Sequence, residues 1–524
     1  MADRIAKIAV SAATYWIDRP YDYLIPLELE DKVCAGMRVF VPFSNGNRKS
    51  EGIVLAVTEH SSFSRLKPIL AVIDEQPVLS AELIKLALFM RERFFCTVYE
   101  AAKAMLPAGL WINDDGKTRV QDKTVEMARL AVPAADALAA AEAKRRRSKQ
   151  QAAMLEELCA FEALPSGELM MHLGASRASI TALQKSGLVE LYRREVFRRP
   201  EVHVGELEPL PVLNQAQQKA YEGINALLLS GAAHAALLHG VTGSGKTSVY
   251  IHLIHSCLSV GRSAILLVPE IALTPQMLKT FSSHFGDNIA VLHSSLSTGE
   301  RYDEWKRVKR GSARVVIGTR SAIFAPVEAP GLIIIDEEQE ETYKSENNPR
   351  YNAKDIAKFR CARSGGLLLL GSATPDIVSR YNAETGKYTY FRLDSRYNDM
   401  RLPDVRIVDM KRELRRGNGG NISSVLRDEL TENISRGEQS ILFLNRRGTN
   451  KLISCGECGY TYKCPRCSVS LTYHSTNGRL MCHYCGYSRP LDAACPDCGG
   501  QLSFIGAGTQ LVVEELEELF PGTE

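Results

Sequence analysis

The run GVTGSGKT at residues 240–247 constrains this chain more than any other segment. It follows the apolar AALLH and precedes SVYIHLIHSCL, whose Val249, Leu253 and Ile254 recur at helical spacing. Strand, glycine-rich loop and helix in that order belong to a parallel α/β sheet with a phosphate cradled at the helix N-terminus. The backbone of Gly240, Val241, Thr242, Gly243, Ser244 and Gly245 would wrap the phosphates. Lys246 would meet the β and γ oxygens, and the Thr247 hydroxyl would ligate the Mg²⁺ carried with ATP.

Two further strands point the same way. Leu332 to Ile335 ends in Asp336-Glu337-Glu338-Gln339, which puts a carboxylate, Asp336, where Mg²⁺ must be held. Glu337 is the candidate to orient or deprotonate the attacking water, or else an acidic helix cap. Leu367 to Leu370 runs into Gly371-Ser372-Ala373-Thr374-Pro375, so the hydroxyls of Ser372 and Thr374 stand at another strand end as sensors of the nucleotide.

Eight of the 13 cysteines fall between Cys455 and Cys498 as four C-x2-C pairs. Each pair places two thiolates on one turn, and two pairs complete the tetrahedral shell of Zn²⁺, so two closed structural zinc sites are expected. SVSLTYHSTNGRLM, between Cys467 and Cys482, reads as a hairpin with a type I′ turn at Asn477-Gly478. That hairpin assigns Cys464, Cys467, Cys482 and Cys485 to an inner site and Cys455, Cys458, Cys495 and Cys498 to an outer one. His474 and His483 are read as bystanders.

A chain of 524 residues, 45% hydrophobic and 24% charged, is globular and long enough for several domains. Apolar runs of membrane-spanning length and an export signal are not visible, and paired zinc knuckles suit a reducing compartment, so a cytoplasmic setting is expected. The net charge of +3 decides little about partners. Residues 1–110 alternate in short strands, and 111–150, rich in Ala, Lys and Arg, reads as a linker. Residues 151–207 have the rhythm of a winged helix, with Gly174 at the turn and Ser176, Arg177 and Ser179 opening its recognition helix; such modules bind DNA, bind protein or simply pack.

The order GVTGSGKT, VPEIALTPQ, GTRSA, DEEQ, GSATP, FLNRRG and then the cysteine block resembles superfamily 2 helicases, and more narrowly the primosomal protein N′ (PriA) family. The resemblance implies a multidomain α/β fold: a β-rich domain (1–110) that captures a 3′ DNA end, the linker and winged helix, and a RecA-like ATP-binding lobe (208–395). The start of a second lobe (396–452), a two-site zinc module (453–500) and a truncated continuation (501–524) would follow. It implies an ATP-dependent 3′ to 5′ helicase of replication restart acting on forked and single-stranded DNA, with helicase-loading proteins and single-stranded DNA-binding protein as partners.

Carried onto this sequence, the resemblance makes Gln217 the adenine reader and Thr274, Thr319 and Arg320 contacts to the DNA backbone. Lys344, Arg350 and Tyr351 fall in the loop that couples DNA to hydrolysis, where Tyr351 would stack on a base. Tyr21, Asp22 and Lys67, beside Pro42-Phe43, would line the 3′-end pocket. Two departures stand out. Gln339 replaces the family's usual histidine, and Ser44 a usual glycine. The family also continues past GAGTQ, where an arginine finger worth about 10³ to 10⁵ in rate would follow, so slow turnover is expected of a chain stopping at Glu524. The competing readings are another superfamily 2 translocase and a non-catalytic fork-binding scaffold.

Overall fold

Short runs of aliphatic residues, five of them covered on both faces, pair with His234–Gly240 and Thr389–Leu393 into a seven-stranded parallel sheet. Its order is Ile289–Leu292, Val315–Gly318, Ala264–Leu267, Leu332–Ile335, Leu367–Ser372, His234–Gly240 and Thr389–Leu393. The computed structural model describes residues 4–111, 120–199, 207–396, 403–444, 451–474, 477–505 and 509–523. The chain divides into two compact units, Met1–Arg401 and Leu402–Glu524.

In the first unit, strands Ile5–Val10, Tyr21–Leu24, Arg38–Phe43 and Arg48–Thr58 form the body of a six-stranded sheet, edged by Lys67–Pro68 and Ala71–Val72. Helices Ala81–Phe94 and Val98–Ala104 carry one continuous apolar core from Ala9 and Ile53 to Leu237, Ile333 and Leu370 of the parallel sheet. A polar clamp reinforces it. The fully buried Arg360 guanidinium donates to both carboxylate oxygens of Glu82, at 2.8 and 3.0 Å, and to the carbonyls of Ile323, Ala325 and Val327. Phe89 stacks on Phe359 with centroids 4.5 Å apart. The β-rich module is thereby fixed to the nucleotide lobe.

The stretch expected to be a linker, 111–150, is corrected by the structure. Thr124–Leu130 pairs along its whole length with Val189–Glu195, and helix Ala134–Lys144 packs on Lys149–Ala160. Ala137 and Ala141, whose small side chains made the segment look unanchored, are buried because they allow that close approach. Helices Ser166–His172 and Arg177–Lys185 follow. Arg177 is not a free DNA contact: Glu126 holds it in a two-pronged ion pair, which pulls the Glu126 carboxyl down to about 2.

The second unit carries a five-stranded antiparallel sheet in the order Ser488–Pro490, Arg479–Met481, Thr472–His474, Lys451–Cys455 and Leu502–Ile505. The hairpin inside it departs from expectation. His474 pairs with Arg479, so four residues connect the strands rather than the two of a type I′ turn. The described residues from 403 to 444 form helices Met410–Arg415 and Ser424–Ser435 and no strand. FLNRRG and GAGTQ fall partly at 445–450 and 506–508, outside the described residues.

Candidate nucleotide, DNA-end and metal sites

Three strand ends meet at the phosphate loop. Gly243 and Gly245, both at φ +78°, turn the loop through the left-handed conformation that side chains disfavour, and helix Lys246–Ser259 starts directly after it. The buried Ser244 hydroxyl has no protein partner, as expected of a cradle built for an oxyanion, and Lys246 Nζ rests 3.0 Å from the Gly240 carbonyl. One turn on, the Tyr250 hydroxyl donates to Asp336 Oδ1 at 2.8 Å. Burial raises the Asp336 carboxyl above its usual range, against the pull of Tyr250 and Lys246. A buried, charge-starved carboxylate beside a lysine and a phosphate loop fits ATP with a divalent metal.

Tyr250 was not singled out from sequence, nor was the reason for Gly371. A Cβ on Gly371 would stand 1.8 Å from the Tyr250 hydroxyl and 3.1 Å from Asp336 Oδ1, so only glycine leaves room for that pair. Glu337 adopts φ +44° at the turn after Asp336. Its Oε2 accepts from Gln339 Nε2 at 3.0 Å, and Gln339 Oε1 accepts from the Ser372 hydroxyl at 2.6 Å. Ser372 Oγ in turn accepts the Thr374 N–H at 2.9 Å. The two acidic-motif and serine-threonine segments are thus joined through a glutamine side chain. His239, also missed, spans from Tyr390 Oη (2.8 Å) to the Ala373 carbonyl (3.2 Å).

Below them lies a buried network that periodicity did not reveal. Glu338, fully buried, accepts from the Asp376 N–H and the Ser379 hydroxyl, both at 2.8 Å, and pairs with Lys354, which also pairs with Asp376.

Several residues expected to face ligands are otherwise engaged. Gln217 is 1% exposed; its Oε1 accepts the Asn214 N–H and its Nε2 donates to the Ser244 carbonyl, both at 2.9 Å. In this conformation it braces the phosphate loop. Tyr351 is 6% exposed, its ring 4.7 Å from that of Phe324, so it is buried in the core and unable to stack on a base in this conformation. Arg320 donates to the carbonyls of Thr342 (3.0 Å) and Lys344, tying down the loop after the acidic motif. Thr319 is buried and Thr274 caps helix Pro275–Phe285, accepting the Met277 N–H at 3.2 Å. Lys344 and Arg350 are exposed.

In the β-rich module, Tyr21, Asp22 and Lys67 do come together, around a cavity of about 320 Å³ also lined by Pro42, Phe43 and Ser44. Asp22 accepts from Lys7 Nζ (3.1 Å) and the Ser61 hydroxyl (2.7 Å), which fix its side chain at the rim of the cavity. Lys67 Nζ donates to the Ser44 carbonyl at 2.7 Å, and Ser44 sits at φ +63°. Serine therefore keeps the left-handed backbone that glycine would adopt freely. Arg19, Phe63 and Arg65 complete the rim, a contribution the strand pattern did not disclose.

The eight cysteine sulfurs gather in two quartets, Cys455, Cys458, Cys495 and Cys498, and Cys464, Cys467, Cys482 and Cys485, each with all ligand atoms within 4.8 Å of one another. Sγ separations of 3.4 Å (Cys455 to Cys498) and 3.6 Å (Cys458 to Cys495 and Cys464 to Cys485) suit a tetrahedron of ~2.3 Å Zn–S bonds. Backbone N–H groups of the knuckles pull Cys455 and Cys482 down to about 7, while sharing of protons with neighbouring sulfurs pushes Cys458, Cys467 and Cys498 up. His474 and His483 contact each other at 3.2 Å and belong to neither quartet. These are two zinc-binding sites, each built from four cysteines. Among the described residues no helix is long and apolar enough to cross a membrane.

Comparison with known proteins defines the class first. The DEAD/DEAH box helicase family model matches residues 214–381, so the parallel-sheet lobe is a helicase domain. The 3′ DNA-binding domain of PriA matches residues 7–107, and the Cys-rich region of PriA DNA helicase matches 464–490. The replication restart protein PriA of Bacillus subtilis is 38% identical, with 98% of this chain and 71% of that protein covered. Those of Chlamydia muridarum (35%; 98% and 68%) and Haemophilus influenzae (32%; 99% and 69%) are similar over as much. The chain belongs to the replication restart protein PriA family, the ATP-dependent DNA helicases that carry these three parts. It covers 71%, 68% and 69% of the length of those three relatives.

Proposed function

We propose that this chain captures the 3′ end of a strand at a stalled fork and couples that grip to 3′ to 5′ unwinding, so that replication restarts there. In this reading residues 1–110 hold the strand end, 208–395 bind and hydrolyse ATP, and 453–500 supply a metal-braced surface. Mg²⁺ is the divalent ion that Asp336 and Thr247 hold with ATP; it would screen the phosphates. Lys246 neutralises the γ-phosphoryl oxygens, and Glu337 takes the proton of the attacking water. The exposed Thr274 and Arg350 contact the DNA backbone. Helicase-loading proteins and single-stranded DNA-binding protein are the partners, and the setting is the cytoplasm.

The observation that carries this reading is the Ser372–Gln339–Glu337 chain of hydrogen bonds, 2.6 and 3.0 Å long. It gives the residue beside the attacking water a direct connection to a neighbouring strand end of the same lobe. DNA contact on that lobe can then move the water-orienting carboxylate. Gln339→Ala should leave nucleotide affinity unchanged while removing most of the stimulation of ATP hydrolysis by single-stranded DNA. Unchanged stimulation would sink the coupling. For the end pocket, forks ending in a 3′ hydroxyl should bind more tightly than forks ending in a 3′ phosphate, and Asp22→Asn should erase the difference.

A further inference from the structure

A second aromatic surface adjoins the end pocket. Trp16 is 92% exposed, Phe95 76% and Ile17 49%. Tyr15 lies between the two aromatics, its ring centroid 6.0 Å from Trp16 and 6.4 Å from Phe95. A single exposed apolar side chain needs no explanation. The support beneath these does. The Asp18 carboxylate, buried, accepts from Arg91 Nε at 2.7 Å and from the Val98 N–H at 3.0 Å, while the Asp18 carbonyl accepts Arg91 Nη2 at 2.8 Å. The short turn Tyr15–Ile17 is thus bolted to the start of helix Val98–Ala104. Phe95 caps helix Ala81–Phe94 at φ +52°, a conformation that costs a bulky residue about 1 kcal/mol or more and that glycine would take freely. Rigid support and an unfavourable backbone both go to holding aromatic rings in solvent.

The surface continues into the pocket. The Tyr21 hydroxyl donates to the Ile17 carbonyl at 2.6 Å, and Arg19 lies 5.5 Å over the Tyr21 ring, both residues lining the cavity. Arg19, Arg65 and Lys67 are exposed there. Flat rings bordered by cations suit bases stacked over a phosphate backbone; a protein-docking face would call for an apolar depression with few charges at its centre.

We propose that Tyr15, Trp16 and Phe95 form a stacking platform for the bases that precede the terminal nucleotide of the strand held in the end pocket. The platform rests on the reading of that pocket as a 3′-end site, and the experiment separates the two. A 5′-labelled deoxythymidine dinucleotide with a 3′ hydroxyl is bound to the full chain and displaced by unlabelled dinucleotide or octanucleotide. The octanucleotide should also quench Trp16, identified by difference, since the chain has three tryptophans.

With Trp16→Ala the octanucleotide should displace about 10-fold less effectively, the weight of one stacked base, while the dinucleotide is unaffected. Trp16→Phe should restore most of the loss. Because Trp16 is exposed, unchanged melting confirms that the variant folds. An octanucleotide that displaces equally well from Trp16→Ala overturns the platform, and so does a variant that keeps its DNA binding but loses a protein partner. If the dinucleotide does not bind at all, the end-pocket reading fails; Trp16 quenching by the octanucleotide, lost in Trp16→Ala, then still supports the platform, and its absence overturns that too.

Discussion

The nucleotide lobe and the cysteine module reach a fixed shape by opposite routes. Strands of the lobe bury Leu, Ile and Val on both faces, and its active carboxylate is placed by that burial. Among the described residues the module's buried core is Ile453, Tyr462, Leu471 and Leu480 with two of its own ligands, Cys464 and Cys482, ringed by half-buried Tyr460, Val469, Tyr487 and Leu491. So little apolar surface cannot offset the chain entropy of some fifty residues. The lobe is built from packing; the module is built around its two cysteine quartets.

Metal removal tests this contrast most severely. A thiol-reactive mercurial should release two equivalents of zinc per chain and open 451–505 to proteolysis, a loss on the order of 10 kcal/mol per site. The melting of 208–395 should stay where it was. Retained protease resistance in the stripped module would erase the difference between the two regions.

Within the lobe, Lys354→Met leaves Glu338 buried without its cation and should cost about 3–5 kcal/mol, read as a fall in the unfolding midpoint. No surface ion pair of the cysteine module should approach that; Arg489→Ala, which breaks the pair with Asp492, should cost under about 1 kcal/mol. Lys246→Ala should lower ATP turnover by at least about 100-fold and leave zinc content unchanged, since phosphate charge stabilisation and metal bracing are separate.

The smallest effect is the most specific. Burial raises the folded-state Asp336 carboxyl, so its contribution to stability is intact below the ordinary carboxylate range and is lost as pH rises through the raised value. Asp336→Asn should therefore melt roughly 1–3 °C higher than the parent near neutrality without nucleotide, and the gap should close toward about pH 4. A gap independent of pH would mean that the carboxylate is not strained by its surroundings.

What could be read from the sequence follows the same division. The phosphate loop, Asp336 and the cysteine quartets were legible because bonding to a phosphate or a metal dictates residue type and spacing within a few positions. Tyr250, His239 and the Glu338–Lys354 network were not, since their partners lie 86, 134 and 16 residues away and carry no periodic mark. Ala137 and Ala141 misled for a related reason: alanine reads the same in an exposed helix and in a tight helix pair. Tyr351 was placed at a base by likeness of motif, and the packing around it shows it buried in its own lobe. The left-handed backbone at Ser44 shows the reverse, a conformation that glycine suits best and that serine nonetheless adopts.

Strand Lys451–Cys455 leads into the cysteine module and Leu502–Ile505 leaves it, side by side and antiparallel, with Cys455 opposite Leu502. The way in and the way out are thus separated by a single strand spacing, about 4.8 Å. Evolution can lengthen, trim or transplant everything between such adjacent ends without stretching the flanking polypeptide, which makes this segment a natural cassette.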